Sequence, residues 1–225
     1  MRVLVHSKSA EIARPGNRLS SQLMGPLGLC IYLDRTSEEE KLKRAHIIAR
    51  RREFSIPGYK TFADVGLDGA WVTPIQIRSK SKTGPVLVGH YWLDAPSVEP
   101  NRTVLEKKGY LPDIPFNKVL TLALGQAGLT RKQIYITQAF HLLPDGPSPS
   151  IRSRHIDASF ARITRFEVDG RAVIALGTVA AGACRRADVK HIPCISPSFR
   201  GKSYAYRAEE LAKALKEALA QINTI

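Results

Sequence analysis

The sequence predicts an α/β fold with three layers, α/β/α, around a central parallel sheet of about four strands. Three observations carry that expectation. From about residue 85 onward, short apolar runs alternate with longer segments of helical pattern, four of each. Strands apolar throughout belong to parallel sheets covered by helices on both faces. Apolar residues make up 44% of the 225 positions and charged residues 24%, an ordinary globular composition able to bury a core.

The first 75 residues are the least periodic. Ser37-Glu38-Glu39-Glu40 has the form of a capping box and predicts a helix from there to about Arg52, ending in Arg50-Arg51-Arg52 at the negative end of its dipole. Pro57-Gly58 breaks the pattern. Trp71 to Ile77 reads as an edge strand, since Pro74 would interrupt a central ladder. A basic turn, Ser79 to Gly84, leads into the apolar run Pro85 to Leu93. A long loop with Pro96, Pro100, Pro112 and Pro115 follows. Phe116 to Ala127 is apolar nearly all round and predicts a buried helix stopped by Gly128.

Ile134 to Thr137 predicts a strand, Pro144 to Pro149 a loop, and about 154–165 a helix. Ala172 to Leu176 predicts a strand stopped by Gly177, with a short helix after it. Lys190 to Ile195 predicts the last strand, Ser196 to Gly201 a loop, and the end of the chain a helix with Leu211, Leu215, Ala218, Leu219 and Ile222 on one face. The expectation is a single domain, 1–225. Residues 1–75 lack the apolar periodicity for a core of their own and are expected to pack on a core formed by 76–225.

Charge narrows the function. Thirty-four Lys and Arg against 20 acids leave a net charge of +14, the footprint of a protein that meets a polyanion, nucleic acid first among them. The basic segments near Lys80, Lys82 and Arg200 are the expected contacts. No window approaches the ~18 apolar residues of a membrane span, and the N-terminus has no secretory apolar region of ~7–15 residues. A cytoplasmic protein is expected. Cys30, Cys184 and Cys194 are too few for a four-cysteine metal or iron–sulfur site, and the six His residues form no HExxH or HxH. No metal and no cofactor is expected. GxGxxG and GxxxxGK[ST] are both absent, which argues against a nucleotide-binding doubly wound enzyme.

In parallel α/β sheets the chemistry lies beyond the C-terminal strand ends. Those ends are Leu93-Asp94-Ala95-Pro96-Ser97, Thr137-Gln138, Leu176-Gly177-Thr178, and Ser196-Pro197-Ser198-Phe199-Arg200-Gly201. With Pro115-Phe116 and Gly128-Leu129 before Ile134-Tyr135-Ile136-Thr137-Gln138, and with Val173 to Ala180, these segments resemble, in order, the motifs of the uracil-DNA glycosylase superfamily over roughly residues 85–220. The departures are specific. The first motif lacks its leading Gly and ends in Ser97, Gln138 stands where the family has Asn, and Ser196 stands where it has His.

The resemblance implies a monofunctional DNA glycosylase that flips uracil or a related damaged base and hydrolyses its glycosidic bond in base excision repair. A monomer acting on single- or double-stranded DNA is the expectation. Asp94 becomes the catalytic carboxylate, or else a cap of the turn before Pro96. Ser196 takes the place of the missing His as a neutral donor. Ala95, Phe116, Gln138 and His141 are implied at the base. Phe116 is a stacking wall or an ordinary core ring, Gln138 a reader of an imide edge or a partner of strand-end backbone, and His141 a sugar or phosphate contact or a solvated loop residue. Ser97, Ser198, Phe199, Arg200 and Lys202 are implied at the DNA, with Phe199 as wedge, unless the last loop is simply solvated. Two rivals remain: a binding module of this fold that does not cleave, and a glycosylase for another modified base.

Overall fold

The computed structural model describes residues 26–147 and 150–224, with side chains from Glu38 onward. Expectations for residues 1–25, for the side chains of Cys30 and Ser37, and for Ser148 and Pro149 lie outside the described residues.

Four strands form one sheet in the order β2-β1-β3-β4: β1 Val86–Gly89, β2 Tyr135–Gln138, β3 Val173–Leu176 and β4 Ile192–Cys194. All three pairings are parallel, with Gly89 opposite Gln138 and Leu176 opposite Cys194 in register. The strands alternate their side chains between two cores. Leu87, Ile136, Ile174, Leu176 and Ile192 pack with α3 (Pro115–Ala127) and α7 (Tyr204–Asn223) on one face. Val86, Val88, Tyr135, Val173 and Ala175 pack on the other face, with α4 (Ser153–Ser159) and α6 (Gly177–Arg186). The protein is therefore a three-layer α/β/α fold, as the apolar runs predict.

Element by element, the helices confirm the stop signals more than the starts. The α3 helix ends at Gly128, whose φ of 67° is the left-handed conformation a helix terminus favours. A turn of π-helix, Phe160–Thr164, carries α4 into α5 (Arg165–Val168), so the predicted helix near 154–165 is interrupted in pitch but not in path. The loop after β1 contains an unpredicted helix, α2 (Arg102–Lys108), closed by Gly109 at φ 77°.

Two predicted elements are corrected. The first helix, α1, runs over Pro26–Glu53, so the chain is already helical before Ser37 and the helix does not begin there. Trp71 to Ile77 is not an edge strand. Pro74, pre-set for the first turn of a helix, opens a 3₁₀ turn over Pro74–Ile77. The Gln76 carboxamide oxygen accepts from Val72 N–H at 3.2 Å and stabilises the bend.

Residues from Leu42 onward form one compact unit; residues up to Lys41 form another, described here only by the first part of α1. Within the larger unit, the end of α1 and the segment to residue 77 join the core. Ile47, Ile48 and Val72 pack against Ile163. Arg51, 3% exposed, donates to Asp68 Oδ1 at 2.6 Å and to the Trp71 carbonyl at 2.9 Å. Among the described residues no helix is long and apolar enough to cross a membrane, and no cluster of His, Cys, Asp and Glu is arranged to hold a metal ion.

Candidate functional site

The connection from β1 to β2 passes through α3 on one face of the sheet, and that from β3 to β4 through α6 on the other. β1 and β3 are neighbours, so the chain changes sides between them and leaves a crevice beyond their C-terminal ends. A cavity of about 270 Å³ occupies that place. It lies just under the ~300–1,000 Å³ of drug-sized ligand clefts and suits a single planar ring. Its lining comes from all four strand ends and from the first turn of α3.

Gly89 and Gly177 open it. A Cβ on Gly89 would come within 2.4 Å of the Gln138 carboxamide oxygen, so only glycine at the end of β1 lets that side chain lie across the neighbouring strand. Gly177 turns the chain from β3 into α6 at φ 88°, and a Cβ there would press on Ser196 at 3.1 Å.

Five of the residues that the sequence singled out line this one cavity: Asp94, Phe116, Gln138, Ser196 and Ser198. Asp94 is 7% exposed, and its Oδ1 accepts from Ser97 N–H at 3.0 Å, capping the short 3₁₀ turn Ala95–Ser97. Both readings of Asp94 thus describe the same side chain: one oxygen holds the turn, and the other accepts no hydrogen bond from the described residues. Phe116 sits partly buried in the first turn of α3.

Gln138 is 3% exposed, and its carboxamide has no hydrogen-bond partner among the described residues. Its own carbonyl accepts from the Thr164 hydroxyl at 2.6 Å, which fixes the strand end. Ser196 Oγ accepts from Ser198 N–H at 3.2 Å, and the Ser196 carbonyl accepts from Phe199 N–H at 2.9 Å, so the last loop is a tight turn at the cavity rim.

Other expectations are corrected by position. His141 does not reach the cavity. It is 2% exposed on the opposite side of β2, near the hydroxyl of Thr164 at 3.1 Å and Glu167 at 3.5 Å, and burial pushes its pKa down to about 3. The strand pleat explains this: Gln138 points to the face of α3, while Thr137 and the turn after the strand face α5. Ala95 also lies off the cavity, packed beside Phe62, Trp71 and Val98. Ser97 contributes its N–H to Asp94 and does not line the cavity.

Phe199, 47% exposed, stands on the last loop beside the exposed Arg200 and Lys202, outside the cavity. The basic turn with Lys80 and Lys82 precedes β1 and bonds to the residue before β2, Ser81 N–H to the Ile134 carbonyl at 3.0 Å, so it lies at the other end of the sheet.

Sequence reasoning missed two polar residues of the lining. His90 follows β1 directly and lines the cavity, and its Nε2 is buried with no hydrogen-bond partner among the described residues. Its ring stands edge-on to Tyr91 at 4.9 Å between centroids, and desolvation lowers its pKa to about 4, so the imidazole is neutral at physiological pH. It sits inside the apolar run 85–93 and so reads as a strand residue; only the end of β1 at Gly89 frees it. Asn117, also in the lining, was missed too. Trp92, Tyr110, Leu111 and Ile114 from the β1–α3 connection complete the apolar wall.

The arrangement is a cavity for one ring, walled by aromatic and aliphatic side chains, whose lining includes a carboxylate, a carboxamide, a neutral imidazole and a hydroxyl with much of their hydrogen-bonding capacity unengaged. No curated protein sequence matches the chain significantly. A family model, Uracil DNA glycosylase superfamily, matches residues 86–220. That span is more than half of the chain and holds all four strands and every residue of the cavity lining except Ile75, and on that match the chain belongs to the uracil-DNA glycosylase superfamily.

Proposed function

We propose that the protein is a monofunctional DNA glycosylase that extrudes uracil, or a related deaminated or damaged base, and hydrolyses its N-glycosidic bond. Members of the superfamily are in general DNA glycosylase hydrolases, which supports a glycosylase-like activity on DNA. The observation that carries the finer reading is the convergence of Asp94, Phe116, Gln138 and His90 on one ring-sized cavity at the switch point of the sheet.

Each group then has work suited to its chemistry. A base inside the stack hides its glycosidic carbon, so it must be flipped out, and Phe116 offers the face on which it lands. Gln138 presents one acceptor and two donors, a match for the carbonyl and N–H of an imide edge. As the C–N bond stretches, the sugar gains positive charge and the base gains negative charge. The Asp94 carboxylate offsets the first and orients the water that adds to the sugar.

His90 and Ser196 supply neutral hydrogen-bond donors to the departing base, in place of the histidine that the family carries at position 196. The water's oxygen ends on the sugar carbon, and its proton balances the released base. No lysine lines the cavity, so an amine adduct with strand cleavage is not part of this scheme.

The test is a panel of oligonucleotides, each with one lesion, incubated with the full chain. The proposal expects release of free base from the uracil or a related substrate, leaving an alkali-sensitive abasic site in an otherwise intact strand. Tight lesion binding with no base released from any member would replace it with the non-cleaving binding module. Release of some other modified base alone would move the substrate and keep the reaction.

A further inference from the structure

We propose that Arg78, Lys108, Arg131 and Lys132 form a seat for a backbone phosphate of the bound DNA strand, beside the base cavity. These four cations, with Thr130 and Tyr110, line an open depression of about 470 Å³, and no acidic side chain contributes to it. None of the four makes an ion pair among the described residues. Another basic depression of the described residues does contain acids. The depression beneath β3 and β4 sets Arg165, Arg171 and Lys190 beside Asp169 and Asp188. Four unpaired cations around one concavity repel one another, an arrangement that a bound anion relieves.

Arg131 gives the seat its geometry. Its guanidinium stacks on the Tyr110 ring at 3.9 Å from the centroid, and its Nη2 donates to Asn117 Oδ1 at 2.8 Å. Its Nη1 is buried with no partner. Burial also disfavours the charge, lowering its pKa. A guanidinium held on one side by a ring and on the other by an amide brings a fixed, pre-organised positive charge to the wall of the depression. The lysines and Arg78 add point charge around it.

The place links this seat to the chemistry. Tyr110 lines both the depression and the base cavity, and Asn117, which holds Arg131, also lines the cavity. A strand whose base enters the cavity therefore meets the seat through the same two side chains. The inference rests on DNA being the partner and not on base release.

The experiment compares the wild type with the double variant Arg78→Ala/Lys132→Ala, both positions being exposed and free of side-chain hydrogen bonds. A control variant, Lys213→Ala/Lys216→Ala on α7, removes the same formal charge. Affinity for a single-stranded oligonucleotide without any lesion is measured across a salt series. The proposal expects roughly tenfold weaker binding and a slope of log affinity against log salt reduced by about 1 in the Arg78/Lys132 variant, with a smaller change in the control. An unchanged slope, or an equal reduction in the control, overturns it. Arg131→Lys, which keeps the charge but not the fork, is expected to weaken binding with the slope retained, and wild-type affinity in that variant contradicts the role given to Arg131. Because the probe carries no lesion, loss of the glycosylase reading leaves these outcomes intact, and the reverse holds as well.

Discussion

Two polar clusters lie back to back on β2, one residue apart in sequence. On one face Gln138 joins His90, Asp94 and Ser196 around a cavity, and much of their hydrogen-bonding capacity is idle. On the other, Glu167 is wholly buried and fully engaged. Its Oε1 accepts from Tyr135 Oη at 2.6 Å and Gln76 Nε2 at 2.8 Å, and its Oε2 accepts from the Thr137 hydroxyl. Gln76 passes the network on by donating to the Ile136 carbonyl at 3.2 Å and accepting from Arg44 at 3.3 Å. Buried polar groups cost free energy unless they are paired. The Glu167 carboxylate satisfies that rule within the fold, although Nδ1 of the neighbouring His141 has no partner among the described residues, and the groups around the cavity leave far more capacity unmet. The difference separates structural residues from candidate functional ones without reference to any relative.

The comparison is easiest to break at Glu167. Glu167→Ala strands three donors in the interior at about 1–3 kcal/mol for each group left unsatisfied, so a loss on the order of 3 kcal/mol or more is expected, roughly 6–12 °C in Tm. Thermal unfolding measures this. The rate of base release per folded molecule should stay within about twofold, and a rate collapse with unchanged stability would move Glu167 into the site.

Phe116→Ala sharpens the other side. It removes a stacking face worth about 1–3 kcal/mol, so lesion affinity in a binding titration should weaken by a factor of roughly 5 to 150. Stability should change less, since Phe116 is only partly buried at a helix start. A variant that binds the lesion normally makes Phe116 an ordinary core ring.

The smallest effect concerns pH. Burial lowers the His90 pKa to about 4 from an ordinary ~6.5, so the group's contribution to stability is full above ~6.5 and is lost as pH falls from there toward about 4. Urea midpoints of the wild type and His90→Gln at about pH 7 and about pH 5 isolate it, because His141 and Glu167 titrate alike in both. The wild type should lose on the order of 1 kcal/mol more than the variant, a figure already reduced for the partial exposure of the ring. Equal losses would mean that His90 titrates as it does in water.

How much of this was legible in the sequence depended on which physical signal each residue carried. The strands were visible because β1 and β3 are apolar and β2 opens on the apolar pair Tyr135-Ile136, all of them buried on both faces, and the stops at Gly128 and Gly177 were visible because both take left-handed φ. Asp94, Phe116, Gln138 and Ser196 lie at strand or helix ends, where linear motifs mark them. His141 was misplaced because nearness in sequence to Gln138 ignores the pleat, which sends neighbours to opposite faces. His90 was hidden inside an apolar run longer than the strand it feeds. The edge strand expected at 71–77 failed because Pro74 opens a 3₁₀ turn as readily as it ends a ladder. The Arg78–Lys108–Arg131–Lys132 cluster comes from three separate segments, and no pattern in one dimension brings them together.

The central claim is that the idle cluster does the chemistry, and Asp94 carries most of it. The most direct measurement is single-turnover base release by the wild type and Asp94→Asn, with the bound fraction read on the same samples. Asparagine keeps the size of the side chain and an oxygen able to accept from Ser97, but removes the negative charge. The expected result is a rate lower by about 10²–10³ with lesion binding nearly unchanged. Cleavage by Asp94→Asn at the wild-type rate would contradict the account and leave Asp94 as the cap of its turn alone.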